Sequence, residues 1–262
     1  MKSLAFFKTH FIEDSVISEY IKLNSSNDIE TILFIDNHTG FIKNKSDVPI
    51  KNINFNGKDI NCFLFDLNIF KSMNLPYYTD ITDNEDLGKA IWYNSDYPAY
   101  IVKKYFPGYD YYWSIEYDVF CNGKSYSEFF NNYTQNESDL IVSDYRSFKN
   151  SDEVWYWNDK SEWIYKNIEK FGSFFPVFRL SSNAIDYLYK RRQEHAAEFE
   201  KVKYNPNNRW VFCESFVPTE LSNAGFKCTN LNGQYLRYLP VYNLNKERIF
   251  ELPDNKLYHP VK

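Results

Sequence analysis

The chain has 262 residues, an apolar share of 44% and a formal net charge of −5. That length supports one large domain or two small ones with a real core, and an acidic balance without a basic stripe argues against a nucleic-acid partner. Four cysteines (Cys62, Cys121, Cys213, Cys228) are scattered without a C-x-x-C pair, three of them in apolar runs, which fits reduced core thiols of a cytoplasmic protein and neither zinc nor a disulfide frame.

The first apolar run, Leu4 to Phe7, is too short for a signal sequence or a membrane span and reads as a buried strand. Lys8, Thr9 and His10 make a polar turn after it. Val16, Ile17, Tyr20, Ile21 and Leu23 recur at helical spacing, with Asp14 or Ser15 as a cap, and Ser25 to Asp28 break the helix. Thr31 to Ile35 is a second strand ending at Asp36. Strand, helix and strand within about 35 residues is the size of a βαβ unit, which builds parallel sheets with ligands at the strands' carboxyl ends. Thr9, His10 and Asp36 lie at those ends. Thr9 and His10 can contact a ligand or cap the loop, and Asp36 can bind or form a turn.

A third strand is expected over Cys62 to Leu67, then an acidic, loop-like stretch over 74–96. Tyr97 to Phe106 reads as a helix with Pro98 near its start, stopped by Pro107-Gly108. Asp96 stands before it, as a cap or within reach of a ligand. An aromatic strand over 109–120 follows, with Glu116 and Asp118 near its end. Residues i and i+2 of a strand share a side, so the two carboxylates can face one point, where a hard divalent cation would relieve their repulsion. The alternative is a strand that meets water and acquires charge.

Residues 121–140 are polar and partly helical, and Leu140 to Ser143 is a short strand before Asp144 and Arg146, which can touch a ligand or pair with each other. A charged segment over 149–165 holds Trp155, Trp157 and Trp163, half of the chain's six tryptophans. They suit the C–H faces of sugar rings in a cleft, or a small core of their own. Phe174 to Leu180 reads as a strand and 184–200 as a helix with Lys190, Arg191 and Arg192 mostly on a solvated face. Trp210 to Cys213 reads as a strand ending at Glu214, ahead of a short helix 216–223 whose N-terminus would favour the ionised carboxylate. The remainder is an extended tail closing on His259-Pro260.

The order of three short motifs resembles nucleotide-sugar glycosyltransferases of the GT-A fold, of the bacterial surface-polysaccharide type. They are Trp113-Ser114-Ile115-Glu116-Tyr117-Asp118, Glu214-Ser215-Phe216-Val217-Pro218-Thr219, and His259-Pro260. The metal motif carries Glu where D-x-D is usual. The resemblance implies one α/β domain over 1–262 with a mixed, mostly parallel, Rossmann-like sheet flanked by helices. Residues 1–120 would be the nucleotide-sugar half, and 121–262 the acceptor half and tail. It implies Mn²⁺ or Mg²⁺ on Glu116, Asp118 and His259, donor contacts from Thr9, His10, Asp36 and Asp96, and Glu214 as the base on a saccharide or lipid-linked acceptor. The expected setting is cytoplasmic, with at most peripheral membrane contact. Two other classes stay open. One is a catalytically silent carbohydrate-binding protein. The other is a metal-dependent phosphodiesterase, which asks for a nearby lysine in E-x-K form and a basic face; the sequence has neither, and Phe120 stands where that lysine would be.

Overall fold

The structure, a computed structural model, describes residues 1–26, 29–42, 49–76, 78, 87–149, 161–231, 236–238 and 255–261. The opening unit has the expected elements: β1 (Ser3–Thr9), α1 (Asp14–Asn24) and β2 (Glu30–Asp36), with β1 and β2 parallel. The expected cap is corrected, since Glu13 and not Asp14 or Ser15 holds the N-cap position, without a side-chain hydrogen bond. Its strands are apolar on both faces. Leu4, Phe6, Ile32 and Phe34 join one core cluster, while Ala5, Phe7, Leu33 and Ile35 join another. Alternate residues of a strand point to opposite faces, so the two clusters are the two sides of a sheet covered on both.

A hairpin follows, β3 (Ile50–Phe55) and β4 (Lys58–Phe65). Its turn is Asn56-Gly57, both at positive φ (49° and 78°), the backbone that a two-residue hairpin turn requires. The third strand thus begins earlier than its apolar run. Asp66 caps α2 (Leu67–Ser72), accepting from the backbone N–H groups of Asn68 and Ile69. The stretch read as loop over 74–96 contains α3 (Leu87–Tyr93); its acidic members Asp80, Asp83, Glu85 and Asp86 lie outside the described residues. Then come α4 (Tyr97–Tyr105), β5 (Tyr111–Glu116), β6 (Phe120–Cys121), α5 (Ser127–Asn131) and β7 (Leu140–Ser147). The chain continues through α6 (Glu162–Tyr165), β8 (Phe171–Ser181), α7 (Ser182–Val202) and α8 (Cys213–Asn223). It closes with β9 (Cys228–Asn230), β10 (Leu236–Tyr238) and β11 (Leu257–His259).

The main sheet has the order β3-β4-β2-β1-β5-β8-β7-β9. Six of its strands run one way, and β3 and β8 oppose them. This is the mixed, mostly parallel α/β sheet expected. Three local expectations are corrected. The strand over 109–120 stops at Glu116, because β6 leaves for a second sheet of order β10-β11-β6. Trp210 to Phe212 are buried but join no ladder, and Cys213 and Glu214 already belong to a helix. Arg192, placed on a solvated face, is wholly buried. No helix among the described residues is long and apolar enough to cross a membrane.

Candidate functional site

At the carboxyl ends of β1, β2 and β5 lies a cleft of roughly 610 Å³. Glu116, Asp118 and His259 each offer it a ligand atom, and these atoms lie within 4.8 Å of one another. The carboxylates converge by a turn, and not by strand alternation. Val119 N–H donates to the Glu116 carbonyl at 3.0 Å, which folds Asp118 back beside the end of β5. The turn is held from beneath by α1. Lys22 Nζ donates to the Cys121 carbonyl (2.7 Å), and Glu19 Oε1 accepts from Cys121 N–H (2.8 Å) and Tyr126 OH (2.8 Å).

His259 arrives on β11, which pairs antiparallel with β6. Val261 N–H donates to the Asp118 carbonyl at 2.9 Å, and Phe120, Tyr258 and Val261 form a small apolar cluster behind it. The tail is thereby stitched to the turn that carries Glu116 and Asp118. His259 Nε2 stands 3.2 Å from Asp118 Oδ1 and 3.9 Å from Glu116 Oε2. Asp118 Oδ1 is buried and receives no hydrogen bond among the described residues, which is costly unless something positive completes it. Two carboxylates and one imidazole are an oxygen-rich set that suits Mn²⁺ or Mg²⁺.

Glu214 also lines the cleft and is 9% exposed. Three features of its motif dock α8 on β8. Pro218, four residues on, has no N–H to give the Glu214 carbonyl the usual helical bond, and Ser173 Oγ of β8 donates to that carbonyl at 3.2 Å. Thr219 Oγ1 accepts from Phe171 N–H (2.9 Å) and donates to the Phe171 carbonyl (3.1 Å). Phe175 N–H donates to Glu214 Oε1 (3.3 Å). That N–H is free to do so because the register of β7 and β8 jumps from Val142↔Phe178 to Ser143↔Phe174, an irregularity of the kind that re-aims groups beside sites. Contrary to the expected stabilisation by the helix N-terminus, burial pushes the Glu214 carboxyl up to about 8. The Phe175 N–H opposes the shift, and the charges of Glu116 and Asp144 add to it.

Thr9, His10 and Asp36 line the same cleft. The Thr9 hydroxyl is engaged locally, donating to the Phe11 carbonyl at 2.6 Å. His10 is exposed and packs edge-on against Phe11 and Tyr117. Asp36 Oδ1 accepts from His38 N–H and lies 2.8 Å from His38 Nδ1; burial raises its pKa, and the His38 contacts oppose this. Asp96 does not reach the cleft. It is 0% exposed, and Arg192 donates to both carboxylate oxygens at 2.9 Å. Its expected donor contact is therefore corrected to a buried ion pair. Asp144 and Arg146 pair at 3.5 Å. Trp163 packs on Phe199 and donates to the Arg209 carbonyl, so it serves the core; Trp155 and Trp157 lie outside the described residues.

Lys8 and Trp92 are among the cleft residues that escaped the sequence reading. Lys8, taken as part of a polar turn, is the penultimate residue of β1, opposite Glu116, and places Nζ 3.1 Å from its Oε1. Trp92, inside the presumed loop, is 58% exposed and lies 5.1 Å from the Phe212 ring, two residues before Glu214. The first could have been found from the parallel pairing of the first and aromatic strands; the second carried no local signal.

No family model matches the chain, and no curated protein matches it. Among solved structures, it is similar to an active-site mutant of LgtC, at 10% identity and a TM-score of 0.47, covering 98% of this chain and 86% of that one. It is similar to mouse xyloside xylosyltransferase 1, apo form, at 12% identity and 0.47, covering 98% and 96%. A third is a glycosyltransferase involved in glycosylation of the major capsid of PBCV-1, at 7% identity and 0.46, covering 98% and 92%.

Proposed function

We propose that this chain is a metal-dependent glycosyltransferase of the GT-A type. It would move a sugar from a nucleoside-diphosphate donor to a saccharide hydroxyl in bacterial capsule or lipooligosaccharide synthesis, inverting the anomeric centre. The observation that carries the reading is one cleft holding an O,O,N cation set and a buried carboxyl poised near 8. Glu116, Asp118 and His259 would hold the ion. When bound, it would neutralise charge developing on the leaving diphosphate. Phe175 N–H orients the Glu214 carboxyl through Oε1, leaving Oε2 to take the acceptor's proton. The acceptor oxygen bonds to the anomeric carbon as that carbon's bond to the β-phosphate oxygen breaks, and the electron pair leaves with the nucleoside diphosphate. Proton transfer to a positioned base contributes roughly 10²–10⁴-fold. Thr9, His10 and Asp36 would face the nucleoside.

The test is a panel of UDP, GDP, CDP and ADP scored by thermal stabilisation with and without Mn²⁺, followed by sugar-nucleotide hydrolysis and transfer. A ligand that binds only the native state raises its melting point. Asp118→Ala should lose both Mn²⁺-dependent nucleotide binding and transfer while remaining folded. Full activity in EDTA, or unchanged nucleotide binding by that variant, would falsify the metal reading.

One observation favours a second reading. Lys8 supplies, from the neighbouring strand, the lysine beside the carboxylates that a phosphodiesterase asks for. Cleavage of bis(p-nitrophenyl) phosphate without turnover of any sugar nucleotide would establish that alternative. Mn²⁺-dependent binding without turnover of either would establish the silent binding protein.

A further inference from the structure

Lys8 has a short-range ion pair in an improbable place. Its side chain is 13% exposed at the end of a buried strand, and its register partner across β1 and β5 is Glu116 itself. Burying an ammonium carries a desolvation cost that a close carboxylate offsets. Lys8 Nζ meets Glu116 Oε1 at 3.1 Å, while His259 Nε2 stands by Asp118 Oδ1 at 3.2 Å. The carboxylate pair thus has positive or polar neighbours on both members before any ion arrives. Phe178 packs under the Lys8 ammonium at 5.8 Å, and no second carboxylate among the described residues forms an ion pair with it.

We propose that Lys8 is the resident counter-cation of the metal site and yields Glu116 to the divalent ion, turning its ammonium to the donor's diphosphate. This rests on the metal-dependent reading above. The physical argument is a competition for one carboxylate. An ammonium and a divalent ion cannot share the Glu116 oxygens without repulsion, and the ion carries twice the charge. Lysine's four-carbon stem lets Nζ swing without moving β1. The anion arriving beside it is the diphosphate, which offers the pairing that Glu116 withdrew. Metal and nucleotide then favour each other, and the coupling is reciprocal.

The consequence separates this role from that of a prop. If Lys8 merely held Glu116 in position, removing it would weaken metal binding. As a competitor, its removal strengthens metal binding. Mn²⁺ affinity of the nucleotide-free protein, measured by calorimetry, should rise about three- to tenfold in Lys8→Met. With Mn²⁺ saturating, affinity for whichever of UDP, GDP, CDP or ADP binds the wild type should fall about tenfold. Lys8→Arg keeps the charge and should keep the coupling. In a Glu116→Gln background, Lys8→Met should leave Mn²⁺ affinity unchanged, and a thermal melt of each variant establishes that it is folded. Lower Mn²⁺ affinity in Lys8→Met overturns the proposal, as does unchanged nucleotide affinity with Mn²⁺ bound. A wild-type protein that binds no Mn²⁺ at all sinks the metal reading and this inference with it, a result distinct from either of those.

Discussion

Glu214 is displaced far enough by burial for its proton to be followed in two ways. As a base it must be ionised, so the rate of transfer should climb with pH along a limb set by its pKa of about 8, or lower where a bound cation draws it down. Glu214→Gln should remove that limb and lower kcat by roughly 10²-fold or more, with nucleotide affinity nearly unchanged. Normal turnover at saturation would make Glu214 a structural residue and remove the support for inversion. The second readout is stability. The folded pKa lies above the unfolded one, so the metal-free protein holds this proton longer when folded, and stability is lost as pH rises from about 4.5 to about 8. Urea melts across that window should show the loss in the wild type and a shallower one in Glu214→Gln. At this scale the sequence picked out Glu116, Asp118, Glu214 and His259, which line one cleft in the structure. It failed for Asp96 and Lys8, whose partners, Arg192 and Glu116, lie far along the chain and become neighbours only through the sheet and α7.

α8 shows how a motif can specify placement more than helicity. A proline in a helix interior costs about 3 kcal/mol and forfeits a hydrogen bond, yet Pro218 stands where that loss opens the Glu214 carbonyl to Ser173. Pro218→Ala should restore the helical bond and compete with β8 for that carbonyl. The expected result is an unchanged or higher melting temperature with turnover reduced severalfold; a lower melting temperature with normal turnover would make the proline a packing residue only. The buried pair between α4 and α7 makes the converse case. Arg192 also donates to the Val211 carbonyl at 2.8 Å, tying the segment ahead of α8 to Asp96. Asp96→Ala leaves that guanidinium unpaired and should cost about 3–5 kcal/mol of stability, read by denaturant melts, while nucleotide affinity of the folded fraction stays as in wild type. Lower nucleotide affinity at full stability would return Asp96 to the donor site. The first βαβ unit was legible because its signals are local: apolar runs and helical spacing. α3 and the ends of β4 and β8 were not, because tertiary pairing and not local pattern sets their limits.

On the scale of the whole molecule, the parallel half of the sheet followed from alternating strands and helices, but the reversal at β8 did not. Nothing in Phe174 to Leu180 distinguishes a strand that runs with β5 from one that runs against it; the order β5-β8-β7 is fixed by non-local ladders. That reversal brings Phe175 and Ser173 to Glu214, so the unpredictable part of the topology is also the part that positions this carboxyl. The second sheet plays the equivalent role for the cation set, carrying His259 to Asp118 on β11. Removing residues 257–262 should weaken Mn²⁺-dependent nucleotide binding more than it lowers the melting temperature of the metal-free protein. A truncated chain with normal nucleotide affinity would reduce His259 to a packing residue.

The stitch between β6 and β11 also makes the cation set a cross-link. Glu116 and Asp118 lie roughly 140 residues from His259 along the chain, and tying such distant points together removes much of the freedom of everything between them. An ion held there would act like a clasp on a long loop. Its presence should slow the amide hydrogen exchange of Leu257 to His259, and of Phe120 and Cys121, far more than that of the central strands β1 and β2. Exchange protection would then report clasp closure one peptide at a time, with no substrate in the tube.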